Sequence, residues 1–163
     1  MQRNSGRHQY HLKTIARRVM IERGLLPDFS PAVTGEVARI QAATTEIDDG
    51  ARDSRGLLWC SIDNDDSRDL DQLTVAEALP GGATKILVAI ADVDVRVQQG
   101  SATDRHAQHN TTSVYTAAEI FPMLPEPLST NITSLAEGED RLAIAIEMVA
   151  REDGTLAASD LFR

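Results

Sequence analysis

The sequence has 163 residues, enough for one domain with a real core and too few for a multidomain enzyme, and its 42% hydrophobic and 25% charged content excludes wholesale disorder. No apolar run approaches the roughly 18–20 residues of a membrane span. No signal-type apolar stretch follows the polar start MQRNSGRHQYHLK, and the single cysteine, Cys60, excludes an internal disulfide, so the expectation is a soluble cytoplasmic protein.

The net charge of −9 is uneven: residues 1–26 set six Lys and Arg against one acid, Glu22, for +5, and the remaining 137 residues carry −14. The acidic bulk argues against nonspecific coating of nucleic acid, because counterion release rewards basic surfaces. It leaves room for a narrow site that handles phosphates through a metal ion. The basic head reads either as a contact for a nucleic-acid backbone or as a solvated helix face.

In chain order, Leu12, Ile15, Ala16, Val19 and Met20 form a helical stripe over residues 11–23, with Gly24 placed as a C-terminal cap and Pro27 beyond it. Ser30-Pro31 starts a second, shorter helical pattern that runs to Ile40. Residues 42–56 are polar and contain glycine, as a linker or surface loop does. LLWCSI (57–62), QLTVAEA (72–78) and KILVAIA (85–91) read as strands, the last two joined by the turn Pro80-Gly81-Gly82. A helix over 101–113 begins at Ser101 with Asp104 three residues on. FPMLPEP (121–127) reads as extended, and residues 142–150 and 155–163 as a hairpin about Asp153-Gly154. The expected fold is α+β: a mixed, mainly antiparallel sheet with flanking helices, preceded by a helical N-terminal arm. A final strand ending at Arg163 leaves an open edge, which hints at a piece of a larger unit.

The most informative stretch is the acidic loop, where Asp63, Asp65, Asp66, Asp69 and Asp71 fall within nine positions. Crowded carboxylates repel one another unless a cation neutralises them, and hard dications take oxygen ligands. Two readings stand on composition: a divalent-metal site at a strand end, or a solvated loop with aspartates as turn formers. A calcium-binding EF-hand loop starting at Asp63 fails, because Arg68 and Thr74 stand where glycine and glutamate are required.

Asp63-x5-Asp69-x-Asp71, followed by ILVAIADVDVRVQQGS, TTSVY, IFPMLPEPLS, SL-x4-DRLAIAIEM and DGT, resembles the RNB catalytic domain of the ribonuclease II/ribonuclease R family over about Leu57 to Arg163. The resemblance divides the chain into a helical arm and linker (1–56) and the N-terminal part of an RNB-like catalytic domain (57–163). It implies a processive, hydrolytic 3′→5′ exoribonuclease acting on single-stranded RNA, not DNA. Such an enzyme uses Mg²⁺, for which Mn²⁺ substitutes, and releases nucleoside 5′-monophosphates. The family's first three active-site aspartates fall on Asp63, Asp69 and Asp71, and its RNA-stacking tyrosine on Tyr115. The fourth acidic position holds Gln72, whose amide oxygen still ligates a cation but with one negative charge fewer. The resemblance covers less than half of the family's catalytic domain. Residues 1–56 lack the aromatic-rich β pattern of its N-terminal cold-shock domains. These departures motivate an alternative: a catalytically inactive, truncated relative that binds RNA or a protein.

Other residues carry blander expectations. Arg68 reads as a charge partner of the aspartates rather than as the positive side chain that offsets charge in a transition state, and His106 with His109 as a solvated helix face rather than a zinc pair. Asp92 and Asp94 read either as a second acidic patch or as a solvated strand end. Asn131-Ile-Thr133 is a glycosylation sequon without consequence in the cytosol. Trp59 reads as core, and nothing around Ser129 makes a serine hydrolase.

Overall fold

The computed structural model describes residues 5–43, 50–65 and 67–163. The chain divides into two compact units, each built from two stretches: the residues up to Ala43 with Arg96–Glu126, and the described residues up to Val95 with Pro127–Arg163. No helix among the described residues is long and apolar enough to cross a membrane.

The first unit is helical. Helix α1 (Ser5–Glu22) ends as its sequence predicts: Gly24 takes φ 76°, its N–H donates to Ile21 O, and Leu25 N–H donates to Met20 O. That pair of bonds is a Schellman cap, which needs the left-handed residue glycine supplies. Helix α2 (Pro31–Ala42) starts where Ser30 Oγ accepts Val33 N–H, with proline in the first turn, where no N–H is missed. Helix α3 (Ala102–Asn110) starts with Ser101 Oγ accepting Asp104 N–H, while the Asp104 carboxylate accepts Gly100 N–H. It stops three residues short of the predicted end, because Thr111 turns left-handed at φ 61°. A two-stranded antiparallel ribbon follows, β3 (Val114–Tyr115) against β4 (Ile120–Phe121); only these two residues of the predicted extended stretch and its approach are in a strand.

Buried Met20, Val33, Val37, Val97 and Phe121 make the apolar part of this unit, yet several of its fixed contacts are polar. Glu36 on α2 accepts Ala102 N–H, Thr103 N–H and the Thr103 hydroxyl, each at 2.8 Å, and so caps the positive end of α3 from a neighbouring helix. Those donors, Ala102 N–H first, hold its carboxyl below the ordinary 4.5. Asn110 pairs in both senses with the Leu26 backbone at 2.9 Å, and its Nδ2 lies 3.2 Å from His106 Nε2. The amide nitrogen can only donate, so His106 Nε2 accepts and the ring is neutral. Buried His106, packed on Phe29 at 4.5 Å, is therefore not the solvated helix residue that its spacing suggested. His109 Nε2 reaches Gly24 O at 2.7 Å. Arg17 pairs with Asp28 and Glu119 and lies over the Phe121 ring.

The second unit is a four-stranded antiparallel sheet in the order β1-β2-β5-β6, with β1 (Gln72–Ala78), β2 (Thr84–Ala91), β5 (Ala143–Ala150) and β6 (Leu156–Phe162). Both predicted hairpins form, β1 pairing Gln72 with Ile90 and β5 pairing Ile146 with Leu161. Buried Leu87, Ala89 and Ala145 sit at the centre of the sheet, and Leu128 and Leu135 supply the other buried apolar side chains of the unit. The predicted first strand, 57–62, does not form. Only Cys60 pairs, exchanging both backbone bonds with Thr74, and Leu58 and Ile62 stay almost fully exposed. Trp59, expected in the core, is half-buried, its indole N–H donating to Ser54 O. Arg52 lies across one face of β5 and β6, stacking 3.5 Å from the Phe162 ring centre and pairing with Asp160 and with Glu147, the two residues that face each other across the strands.

Two pH effects follow in the first unit. Glu36 has a lowered pKa, so its contribution is full above the ordinary 4.5 and is lost as the pH falls through the folded value; Glu36→Ala should cost about 1 kcal/mol at neutral pH and flatten the acid limb of a urea-unfolding series. Burial, and then the charge of His109, push His106 below 6.5. The unfolded chain then binds its proton first, and stability falls as the pH drops below about 6.5. Unfolding midpoints at about pH 7 and about pH 5 should differ more for the wild type than for His106→Gln; equal differences would refute the assignment.

Candidate functional site

Asp63, Asp69, Asp71 and Gln72 all lie in the second unit, on an irregular loop that leads from Cys60 into the first residue of β1. All four are exposed, and Asp66 falls outside the described residues. The loop has no helix or strand to hold it. What holds it is a set of hydrogen bonds to its backbone.

Ser134 supplies two of them. The residue is 1% exposed, and its hydroxyl accepts Leu70 N–H at 3.2 Å and donates to Arg68 O at 2.8 Å, so one side chain grips both flanks of Asp69. Leu135 N–H donates to Leu70 O at 2.7 Å. Ala91 N–H, at the end of β2, donates to Asp71 O at 2.9 Å, and Ser67 N–H closes a turn on Asn64 O. Asp71 is thus exposed on a main chain held by hydrogen bonds, and Asp63 is exposed one residue before the Asn64 turn, which lowers the self-repulsion that burial would raise. Ser134 was not singled out from the sequence. The signal was present, because Ser134-Leu135 opens one of the motifs that carry the resemblance.

The oxygen donors of Asp63, Asp69, Asp71 and Gln72 suit a hard dication in kind. In arrangement they are open: among the described residues no three His, Cys, Asp or Glu side chains are gathered as a metal-binding set. Mg²⁺ usually binds one or two carboxylates and takes its remaining oxygens from water and substrate phosphate, so a closed protein cage is not what the ion requires.

The other candidates separate. Tyr115 belongs to the first unit, on β3, with 65% of its surface exposed. Asp92 is not solvated but buried, whereas Asp94 is exposed in the short turn Val93–Val95. Arg68 is exposed, and the contact that fixes it runs through its carbonyl. Ser129 and Asn131 lie in the single wide helical turn Leu128–Ile132.

Comparison with known proteins identifies the family to which this chain is similar. The RNB domain family matches residues 51–163. Ribonuclease R of Thermotoga maritima is 38% identical over 136 residues, covering 83% of this chain and 19% of that protein. Ribonuclease R of Vibrio cholerae is 40% identical over 112 residues, covering 69% of this chain and 14% of that one. Among solved structures, Mycoplasma genitalium RNase R in complex with ribose-methylated single-stranded RNA superposes with a TM-score of 0.78 at 25% identity, over 88% of this chain and 22% of that one. The chain therefore spans about a fifth or less of the length of these relatives.

The Ser134 clasp predicts a local cost. Ser134→Ala leaves Leu70 N–H and Arg68 O without their partner and should destabilise the chain by about 1–3 kcal/mol in urea unfolding; a change within about 0.3 kcal/mol would show that the loop is held by something else.

Proposed function

Because the chain belongs to the RNB domain family, we propose that it carries the acidic loop of a hydrolytic 3′→5′ exoribonuclease that acts in the cytoplasm on single-stranded RNA and releases nucleoside 5′-monophosphates. The observation that carries this reading is the acidic loop, with Asp63, Asp69 and Asp71 exposed on a main chain pinned at Arg68, Leu70 and Asp71. Asp63, Asp69, Asp71 and Gln72 would hold Mg²⁺ or Mn²⁺, with phosphate oxygens of the RNA completing the coordination. A dication bound there supplies Lewis acidity, lowering the pKa of the attacking water and offsetting charge on the leaving oxygen.

The residues themselves have separate tasks. Asp63, Asp69 and Asp71 concentrate negative charge that attracts a dication and repels a bare phosphate. Gln72 contributes an oxygen without adding to the repulsion. Exposed Tyr115 offers a ring face on which a base of any identity can stack. RNA-bound RNase R of Mycoplasma genitalium, as a structural neighbour, supports an RNA ligand for this chain as well.

A second reading has its own observation. No three described acids converge, and Gln72 removes one charge from the loop. Both suit a catalytically inactive RNB relative that binds RNA or a partner protein.

One assay separates the two. With the protein expressed from its full reading frame, 5′-labelled single-stranded RNA and Mg²⁺, the nuclease shortens a ladder from the 3′ end and stops on EDTA. Asp71→Asn should abolish shortening while leaving the unfolding midpoint in place. Binding that survives EDTA, with intact RNA, would establish the inactive relative instead. In the same protein Tyr115→Ala should weaken RNA binding by about 1–3 kcal/mol and Tyr115→Phe should not; equal affinity in all three proteins would remove Tyr115 from the RNA contact.

A further inference from the structure

Asp92 is a buried charged side chain to which nothing above assigns a task. In an antiparallel sheet of order β1-β2-β5-β6, the starts of β1 and β5 and the ends of β2 and β6 share one end of the sheet. Asp71 precedes β1, Asp92 follows β2, Leu142 precedes β5 and Arg163 follows β6, so these four residues line that end.

Their contacts run in a chain. Ala91 N–H donates to Asp71 O at 2.9 Å, and Asp92 N–H donates to Leu142 O at 3.1 Å. Asp92 Oδ2 lies 2.7 Å from Arg163 Nε, and Arg163 O accepts Arg52 N–H at 2.7 Å. The Asp92 side chain is 3% exposed and that of Arg163 35%. Oδ2 has no aligned hydrogen bond, so the N–H points past it and the contact is an ion pair held by Coulomb attraction in a partly dry setting. Burying a carboxylate is costly, and an apolar residue of similar size often serves stability as well or better. What an ion pair adds is a fixed geometry between the groups that carry it.

We propose that Asp92 is a positioning residue for the acidic loop: through Arg163 it locks the four strand ends together, and through the adjoining Ala91 N–H it fixes the main chain at Asp71 and Gln72. The role in catalysis rests on the exoribonuclease reading above; the lock itself does not.

The test is amide hydrogen exchange, residue by residue, on the full chain. Asp92→Asn removes the charge at constant shape, and Arg163→Gln carries the test if that variant does not fold. Asp94→Asn removes the same charge from an exposed position two residues away. The Ala91 amide should exchange about tenfold faster in both pair variants, while Leu87 and Val75 stay within about twofold and Asp94→Asn changes none of them. Manganese, followed by line broadening of the Asp71 and Gln72 amides, should bind more weakly in the pair variants and equally in Asp94→Asn. Unchanged exchange at Ala91, or acceleration at Leu87 by the same factor, overturns the proposal. Accelerated exchange at Ala91 with no manganese broadening in the wild type sustains the lock and counts against the metal reading alone.

Discussion

Like charges on a short loop push it open, and everything the acidic loop offers depends on a main chain that resists that push. Repulsion between carboxylates acts on side chains, whereas the restraints here act on backbone amides and carbonyls. Ser134 holds both sides of Asp69, and Leu135 and Ala91 hold Leu70 and Asp71. These restraints act on the main chain, and the exposed carboxylates of Asp63 and Asp71 remain in water, where repulsion is weak.

The sheet provides the anchor for those restraints. Its strands run antiparallel throughout, so the loop enters β1 at the end where β2 finishes, and the last amides of β2 are in reach of the loop's last carbonyls. The first unit solves a different problem by similar means. Its buried surface is only partly apolar, and polar contacts of defined geometry fix its packing: Glu36 on the α3 N-terminus and Asn110 on the Leu26 backbone. Polar contacts of this sort specify one arrangement, and they bring the acid sensitivity of the groups that form them.

Much of the local structure was legible in the residues. Ser30-Pro31, Ser101 with Asp104, and Gly24 are cap signals whose physics is complete within a few residues, and each helix starts or ends where they stand. The hairpins at Pro80-Gly81-Gly82 and Asp153-Gly154 were legible for the same reason, since the turn chemistry and the alternation of the flanking strands agree. The segment 57–62 was misread because an apolar run specifies burial only if a partner is present. Cys60 found Thr74, while Leu58 and Ile62 found nothing to pack against. His106 was read as solvated, and Asp92 as either solvated or part of a second acidic patch, because both follow local patterns common on surfaces; their contacts come from residues distant in sequence, Phe29 for the one and Leu142 with Arg163 for the other.

By itself the sequence determined the family, the identity of the candidate ligands and the positions of most helix ends and hairpins. All of these depend on residue type at short or fixed spacing. Tertiary structure alone decided which backbone groups hold the loop, that residues 96–126 join the helices rather than the sheet, and that Asp92 meets Arg163 across the sheet end. Those outcomes depend on groups tens of residues apart arriving at one place, and no local pattern of charge or hydropathy encodes that distance.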